Sequence, residues 1–426
     1  MRNQGNSRIY LPQKSRPDSV FTRIEPNTKF LDGHDVEGVH LLTDFEQVRE
    51  LQVRLGRFSK GPEDFFPVNW PVSLTTENID KLKSSPYVVA PKPSGTRFLF
   101  YVDSDGGMFL ENMTQHIFRV DEGHAVKMVS SDGRPVTDTL LDGVLCKEKL
   151  NHDDNCNGGE ENPKKLTLVI RDSIRCNGVE LTTRNIVKRI DFVKEKIIKP
   201  REGSAQNEVF TLDIVEYLEA NEATKSYLDP KFEESYKYPT RSFVFFPLKN
   251  YSCYTDYDVL QWAENDDQQC SFRLMIPKGI QEPKEAELFM FGRSCAEIKW
   301  DETILLTDEI RNLDGCIVDC RYVDQRWMFV KQRFDRNIPN GKRALEGKLH
   351  ALKHPVSRDL LLATLENYAL DGCIVDCRYV DHLWMFVKQR FDRNIPNGMR
   401  ALEGKLHALK HPVSRDLLLA TLENYA

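Results

Sequence analysis

Residues Tyr87–Val102 read Y-V-V-A-P-K-P-S-G-T-R-F-L-F-Y-V, two β-rich runs on either side of a short segment that contains a lysine. Aromatic and β-branched residues dominate both runs, which predicts a pair of strands over Tyr87–Ala90 and Arg97–Val102. The segment Pro91–Thr96 contains proline and glycine, so it is predicted to be the turn between them. Lys92 lies in this turn. A lysine becomes a nucleophile where neighbouring positive charge or desolvation lowers its pKa.

The rest of the first half alternates between short strands and amphipathic helices. Apolar spacing predicts a helix over Val39–Leu55, with Thr43 or Asp44 as its N-cap. Helical spacing recurs over Thr182–Lys199 and over Thr211–Leu228. Further strands are predicted at Met108–Leu110, His116–Val120, Leu140–Cys146 and Leu166–Ile170. Strands and helices mixed in this way predict an α+β fold.

From Ser242 onward, short strands at regular spacing predict a small β-barrel. Its first candidate strands are S-F-V-F-F-P-L, D-V-L-Q-W, S-F-R-L-M-I and A-E-L-F-M-F. The last two are C-I-V-D-C-R-Y-V and W-M-F-V-K-Q-R-F, joined at Asp324–Arg326. A helix capped by Ser357 is predicted to follow the barrel.

The segment Leu313–Ala369 recurs almost unchanged as Leu370–Ala426. The copies differ only at Gln325/His382, Arg326/Leu383 and Lys342/Met399. An array of stacked repeats needs at least three units, so two copies indicate one finished domain followed by a surplus copy. Because the first copy is continuous with the preceding strands, we expect it to complete the barrel and the second copy to be loosely packed.

Bulk composition restricts the class of protein but not its function. The chain has 59 Lys plus Arg against 65 Asp plus Glu, a net charge of −6, so nucleic-acid contact needs a local basic face. No apolar run approaches the roughly 18 residues of a membrane span, and Met1–Phe21 lacks the apolar core of a secretory signal. We therefore expect no membrane association, a flexible tail over residues 1–38 and, without any C-x-x-C pair, a reducing compartment.

Several stretches resemble, in order, the motifs of eukaryotic mRNA capping guanylyltransferases, which belong to the covalent nucleotidyltransferase superfamily. P-K-P-S-G-T-R (Pro91–Arg97) is similar to the first motif, K-x-D-G-x-R. T-D-T-L-L-D-G (Thr137–Gly143) resembles the third motif, and L-V-I-R-D-S-I (Leu168–Ile174) resembles the strand after it. D-V-L-Q-W stands at the fifth motif, and W-M-F-V-K-Q-R-F-D-R-N-I-P-N (Trp327–Asn340) resembles the sixth. The resemblance covers roughly Phe65–Ala369.

The resemblance implies a nucleotidyltransferase domain over residues 39–245, built of ATP-grasp-like antiparallel sheets with helices. It implies an OB-fold barrel with a C-terminal helix over residues 246–369, and leaves residues 370–426 as the duplicate. In this family a lysine attacks the α-phosphate of GTP with Mg²⁺ or Mn²⁺ and passes GMP to the 5′-diphosphate end of RNA. The implied function is mRNA 5′ capping in the nucleus, beside a separate RNA triphosphatase and the RNA polymerase II tail.

The same motif matches assign roles to individual residues. Lys92 is implied to be the nucleophile, and Arg97 to contact the ribose. The other implied nucleotide-binding residues are Asp142, Asp172, Arg333, Asp335 and Arg336, of which the last three would close over the β- and γ-phosphates. The matches assign no metal ligand.

The chain departs from the family where the family holds metal and phosphate. In the first, third and fourth motifs, carboxylates that face the metal or bind the sugar are replaced by other residues. In the fifth motif, two lysines that bind phosphate are replaced. The residues present there are Ser94, Val144, Arg241 with Ser242, and Gln261 with Ala263. Losing several such groups typically costs more than about 10⁴ in rate.

Two hypotheses follow from these departures. In the first, the protein is an active guanylyltransferase in which other cations, such as Lys249 or Lys278, replace the missing lysines. In the second, it is an RNA- or nucleotide-binding module without turnover. A ligase-type enzyme shares the covalent lysine, but the Q-R-x-D-x-x-x-P-N string favours capping.

Overall fold

A computed structural model gives the fold over residues 10–12, 21–24, 26–31, 34–61, 66–149, 166–201, 208–229, 231–263, 269–279, 283–292, 297–334, 338–366, 375–380 and 383–389. The chain divides into two compact units, Met1–Asn367 and Tyr368–Ala426. The described residues form the α+β fold that the sequence predicts, with more strand than helix. Among them, none of the helices has the length and apolarity needed to cross a membrane.

The strands of the first unit are β1 (Tyr10–Pro12), β2 (Phe21–Arg23), β3 (Val39–Leu41), β4 (Asn69–Ser73), β5 (Tyr87–Pro93), β6 (Thr96–Val102), β7 (Met108–Asn112), β8 (Ile117–Val120), β9 (Thr139–Lys147), β10 (Leu166–Cys176), β11 (Val179–Glu180), β12 (Thr211–Ile214), β13 (Leu218–Glu219), β14 (Thr240–Pro247), β15 (Tyr254–Ala263), β16 (Gln269–Met275), β17 (Glu285–Phe291), β18 (Glu297–Leu305), β19 (Ile317–Val323) and β20 (Arg326–Arg333). Its helices are α1 (Phe45–Phe58), α2 (Lys81–Ser84), α3 (Ile186–Val193), α4 (Ala220–Lys225), α5 (Phe232–Ser235), α6 (Lys342–Lys353) and α7 (Arg358–Glu366). The second unit contributes β21 (Val375–Val380) and β22 (Leu383–Gln389).

The largest sheet has the strand order β11-β10-β9-β6-β7-β8-β3, and β12 lies parallel to β10. Every residue of β6 is buried, which explains its continuous apolar run. Phe98 and Phe100 belong to a core shared with α3. Leu99 and Tyr101 belong to a second core shared with α1. Helices therefore cover both faces of the sheet that carries Arg97.

The second sheet has the order β13-β5-β14-β15-β4, and it corrects the prediction for Lys92. The lysine does not lie in a turn between paired strands, because β5 extends to Pro93. β5 pairs with β13 and β14, whereas β6 pairs with β7 and β9. A Cβ atom on Gly95 would lie 2.3 Å from the carbonyl oxygen of Leu145. Glycine at this position therefore lets the chain pass closely beside β9 from one sheet to the other.

Five strands close a barrel in the order β16-β17-β18-β20-β19, and β19 and β20 come from the first copy of the repeat. Trp327 on β20 is 2% exposed, and its ring lies 4.7 Å from Phe272 and 4.9 Å from Tyr322. The strands S-F-V-F-F-P-L and D-V-L-Q-W, predicted for the barrel, are β14 and β15 of the second sheet instead. The barrel thus begins at Gln269, not at residue 246, because strand periodicity does not say which sheet a strand joins.

Two helices follow the barrel where the sequence predicted one. The helix α7 begins after Ser357, whose hydroxyl accepts a hydrogen bond from the Leu360 amide at 3.2 Å, as predicted. Leu361 of α7 is buried among residues of the second sheet. Trp262 of β15 donates its indole N–H to the Val356 carbonyl at 2.8 Å. The end of the first copy therefore joins the barrel to the second sheet.

Two predicted helices differ from the structure. Asp44 caps α1 by accepting from the Gln47 amide at 2.8 Å, but Val39–Leu41 is an edge strand. The segment Thr211–Leu228 begins with β12 and β13, and only Ala220–Lys225 within it forms an α-helix. Pairing with β10 and β5 outweighs the helical spacing there, because it places those backbone groups in existing sheets.

The N-terminal region is ordered over part of the predicted flexible tail, residues 1–38. β1 and β2 pair with each other. Phe30 is 2% exposed and stacks on Phe98 with ring centroids 5.0 Å apart. The burial of Phe30 could not be predicted from the sequence, because a single aromatic residue has no periodic pattern.

Replacing Trp327 with Ala is expected to lower the free energy of unfolding by about 3–5 kcal/mol, since it removes a buried indole packed between two rings. The matched control is Trp384→Ala, the same change at the same place in the second copy. Urea unfolding followed by circular dichroism measures both. An equal or larger loss in Trp384→Ala would mean that the second copy closes the barrel.

Candidate active site

Lys92 lies at the end of β5, opposite Ser242 of β14. Its ammonium donates a hydrogen bond to the side-chain oxygen of Gln261 at 2.9 Å. The backbone is fixed as well, because the hydroxyl of Thr240 donates to the Lys92 carbonyl at 2.8 Å. The lysine is therefore presented by a paired strand rather than by a loop.

The pKa of Lys92 is lowered well below its ordinary value. Desolvation is the largest cause, although part of the side chain remains accessible. The positive charges of Arg171, Arg97 and Lys348 lower this pKa further, and Asp142 opposes them. A lowered pKa favours the neutral amine relative to an ordinary lysine, and the neutral amine is the form that acts as a nucleophile.

Two buried ion pairs occupy the carboxylates that the sequence assigned to the nucleotide. Arg97 of β6 donates two hydrogen bonds to the Asp142 carboxylate of β9, at 2.8 and 2.6 Å. Its guanidinium also lies 5.2 Å from the centre of the Trp70 ring. Arg189 of α3 holds Asp172 of β10 in the same way, at 2.6 and 2.8 Å. Bidentate pairs of this kind fix both partners. The pair with Asp142 fixes Arg97, whose charge also lowers the pKa of Lys92.

Arg171 is a site residue that the sequence analysis did not identify. It lies on β10, is 4% exposed, and its Nη1 atom has no hydrogen-bond partner among the described residues. Burial lowers its pKa, and the charge of Arg97 lowers it further. A buried guanidinium whose nitrogen has no hydrogen-bond partner among the described residues is suited to binding an anion such as phosphate. The sequence signal that could have identified Arg171 is its position as a charged residue inside the apolar run L-V-I-R-D-S-I.

Lys348 was also missed, because the sequence predicted no helix at α6. It belongs to the first copy of the repeat, and its ammonium donates to the Gln269 carbonyl at the start of the barrel. Its effect on the pKa of Lys92 shows that α6 brings positive charge towards the lysine. The first copy of the repeat, which contains the sixth-motif segment, therefore contributes charge to the site through α6.

The other predicted site residues lie elsewhere or outside the described residues. Arg333 on β20 donates to Asp319 at 3.0 Å within the barrel, and it is not among the charges with the largest effect on Lys92. Asp335 and Arg336 lie outside the described residues. Lys249 pairs with Asp256 and Asp258 at 2.7 and 2.9 Å, and it is not among the charges with the largest effect on Lys92.

The charge of the site fits phosphate better than it fits a metal ion held by protein carboxylates. Asp142 and Asp172 are each neutralised by a bidentate arginine. Of the charged groups that act most strongly on Lys92, only Asp142 is an anion. Mg²⁺ favours free carboxylate oxygens together with substrate phosphates, and these two carboxylates do not offer them.

Replacing Arg171 with Met is expected to move the labelling midpoint of Lys92 to higher pH. The substitution removes a charge that lowers the pKa of Lys92, so the neutral amine would appear later as pH rises. Trinitrobenzenesulfonate labelling across a pH series, mapped by mass spectrometry, measures this midpoint. The control Arg134→Met removes an arginine that is 81% exposed and should change nothing. An unchanged midpoint in Arg171→Met would contradict the electrostatic assignment.

Family models match most of the chain. The model described as mRNA capping enzyme, catalytic domain, matches residues 31–265. The model described as mRNA capping enzyme, C-terminal domain, matches residues 245–362. A solved mycobacterial DNA ligase D complexed with ATP and MES is 10% identical, with a TM-score of 0.35 over 64% of this chain and 98% of that chain.

Curated relatives point to the same family. The mRNA-capping enzymes of Danio rerio and Mus musculus are 26% and 25% identical over 361 residues, which is 82% of this chain and 57% of theirs. The chain thus spans little more than half the length of these relatives. The mRNA-capping enzyme subunit alpha of Schizosaccharomyces pombe is 23% identical over 371 residues, 80% of this chain and 89% of that protein. Because the catalytic-domain model alone matches more than half of its residues, this chain belongs to the mRNA capping enzyme family.

Proposed function

We propose that this protein is an mRNA guanylyltransferase that transfers GMP from GTP to RNA through Lys92. The observation that carries the proposal is the state of this lysine: its pKa is lowered by desolvation and by three neighbouring cations. An ordinary surface lysine is protonated at neutral pH and is not a nucleophile. Family membership supports the reaction, and the lowered pKa of Lys92 supports its role as the nucleophile.

In the first step, the amine lone pair of Lys92 attacks the α-phosphorus of GTP. A phosphorus–nitrogen bond forms, the bond from the α-phosphorus to the bridging oxygen of the β-phosphate breaks, and pyrophosphate leaves. The nitrogen releases a proton to solvent. In the second step, an oxygen of the RNA 5′-diphosphate attacks the same phosphorus, the phosphorus–nitrogen bond breaks, and the lysine takes up a proton.

Arg171 and Lys348 take the part of the two fifth-motif lysines that Gln261 and Ala263 replace. Both are cations close enough to Lys92 to lower its pKa. Negative charge grows on the leaving pyrophosphate during the first step, and fixed cations stabilise it without reorganisation. Arg97, held by Asp142, is proposed to contact the ribose. Arg333, Asp335 and Arg336 are proposed to close over the β- and γ-phosphates.

The divalent ion implied by the family, Mg²⁺ or Mn²⁺, would supply further charge for the triphosphate. Since Asp142 and Asp172 do not fit it as free ligands, no step here depends on it. The 5′-diphosphate end of RNA is proposed to come from a separate RNA triphosphatase. The RNA polymerase II tail is the proposed recruiting partner, and the nucleus the proposed location.

The lysine assignment is tested by incubating the protein with α-labelled GTP and a divalent ion. Label that survives a denaturing gel is expected in the wild type and in Lys83→Ala, an exposed control, and is expected to vanish in Lys92→Ala. Parallel incubation with α-labelled ATP tests the choice of base. Retention of label in Lys92→Ala would refute the assignment. Absence of label in the wild type, with salt-sensitive GTP binding, would favour the non-catalytic module.

Arg171→Met is expected to reduce the labelling rate about 10²–10³-fold, the usual effect of removing one donor that stabilises transition-state charge. Lys348→Met should also reduce it. The matched control is Lys405→Met, at the same place in the second copy. Single-turnover labelling rates measure all three. If Lys405→Met lost rate and Lys348→Met did not, the proposal for α6 would be wrong.

A further inference from the structure

We propose that Glu77, His350 and His354 form a zinc site that fastens the helix α6 to the segment after β4. One oxygen of Glu77 lies 2.9 Å from Nε2 of His350, and the other lies 3.6 Å from Nε2 of His354. The potential ligand atoms of all three residues lie within 4.8 Å of one another. This cluster lies outside the set of residues proposed to bind the nucleotide.

The distances suit a small tetrahedral ion. With bonds of about 2.0–2.1 Å to nitrogen and oxygen, ligands of a tetrahedral Zn²⁺ are separated by about 3.3 Å. The two separations in the structure, each to a different oxygen of Glu77, lie on either side of this value. Two imidazoles and one carboxylate are a ligand set that zinc accepts, with a fourth position left for water. The side chains of His350, His354 and Glu77 are 45%, 37% and 58% exposed, so solvent can reach the ion.

Both sides of the cluster are held in place by contacts that do not involve the ion. His350 lies in the last turn of α6 and His354 is the residue that caps its C-terminus, and their ring centroids are 4.5 Å apart. The Thr76 amide donates to the His354 carbonyl at 3.1 Å, next to Glu77. Asn78 fixes the other flank, because its side chain accepts from the Thr75 amide and donates to the Ser73 carbonyl. The ligands are thus presented before any ion binds.

An ion here would act at a distance on the proposed catalytic site. Lys348 precedes His350 by two positions on α6, and its charge lowers the pKa of Lys92. Fixing the end of α6 to the segment that contains Glu77 would therefore limit the movement of Lys348. The zinc site itself does not depend on the proposed reaction, since it is defined by geometry alone.

The experiment uses the full chain after removal of metals, titrated with ZnCl₂ against a chromophoric chelator. The wild type is expected to bind one zinc ion more than His350→Ala/His354→Ala, or to bind it at least tenfold more tightly. The matched control is His407→Ala/His411→Ala, the same pair in the second copy, which should bind like the wild type. Glu77→Gln should weaken binding without abolishing it.

Cobalt substitution gives a second readout that misfolding alone does not mimic. Co²⁺ in a tetrahedral site is expected to give a visible absorption band in the wild type and in His407→Ala/His411→Ala, and none in His350→Ala/His354→Ala. Thermal unfolding with and without zinc checks that each variant folds. Equal zinc affinity and an equal cobalt band in wild type and His350→Ala/His354→Ala would overturn the proposal. Loss of both signals only in His407→Ala/His411→Ala would overturn the assignment to the first copy.

Discussion

The chain passes from one sheet to the other at Ser94 and Gly95, and the arrangement of the site depends on this passage. Lys92 lies near the end of β5 in the second sheet, whereas Arg97 lies near the start of β6 in the first sheet. A Cβ atom on Gly95 would lie 2.3 Å from the Leu145 carbonyl oxygen, so a larger residue would push the strands apart. The close crossing is what places a lysine from one sheet within electrostatic reach of arginines from the other.

Charge balance explains the electrostatic environment of Lys92 at this crossing. Arg97 and Arg189 are buried, and each is neutralised by its own aspartate. Arg171 is buried with an open nitrogen, and a buried cation without full compensation is costly. Binding an anion would relieve that cost, and the same uncompensated charge lowers the pKa of Lys92. The buried charge of Arg171 is thus both costly to the fold and suited to binding an anion.

Residues with a strong local pattern could be predicted from sequence, and residues defined by distant neighbours could not. The runs that became β6, β9 and β10 are apolar and β-branched, so their strands were found, although the C-terminal end of β10 was not. Lys92 was assigned as the nucleophile by the resemblance of Pro91–Arg97 to the first motif of the family. Arg171 and Lys348 matter only because β10 and α6 converge on Lys92 from distant parts of the chain, and no local pattern records that convergence. The strands β14 and β15 were assigned to the wrong sheet for the same reason.

The repeat separates what the sequence by itself determined from what only the tertiary structure decided. Both copies form the same hairpin, with Val318 opposite Gln332 in one and Val375 opposite Gln389 in the other, because a hairpin depends on residues close in sequence. Within the described residues, β19 and β20 also pair with β16 and β18, whereas β21 and β22 pair with each other. Sequence alone therefore determined the hairpin twice. Tertiary structure decided which copy completes the barrel, because strand edges are satisfied only by partners that the rest of the chain supplies.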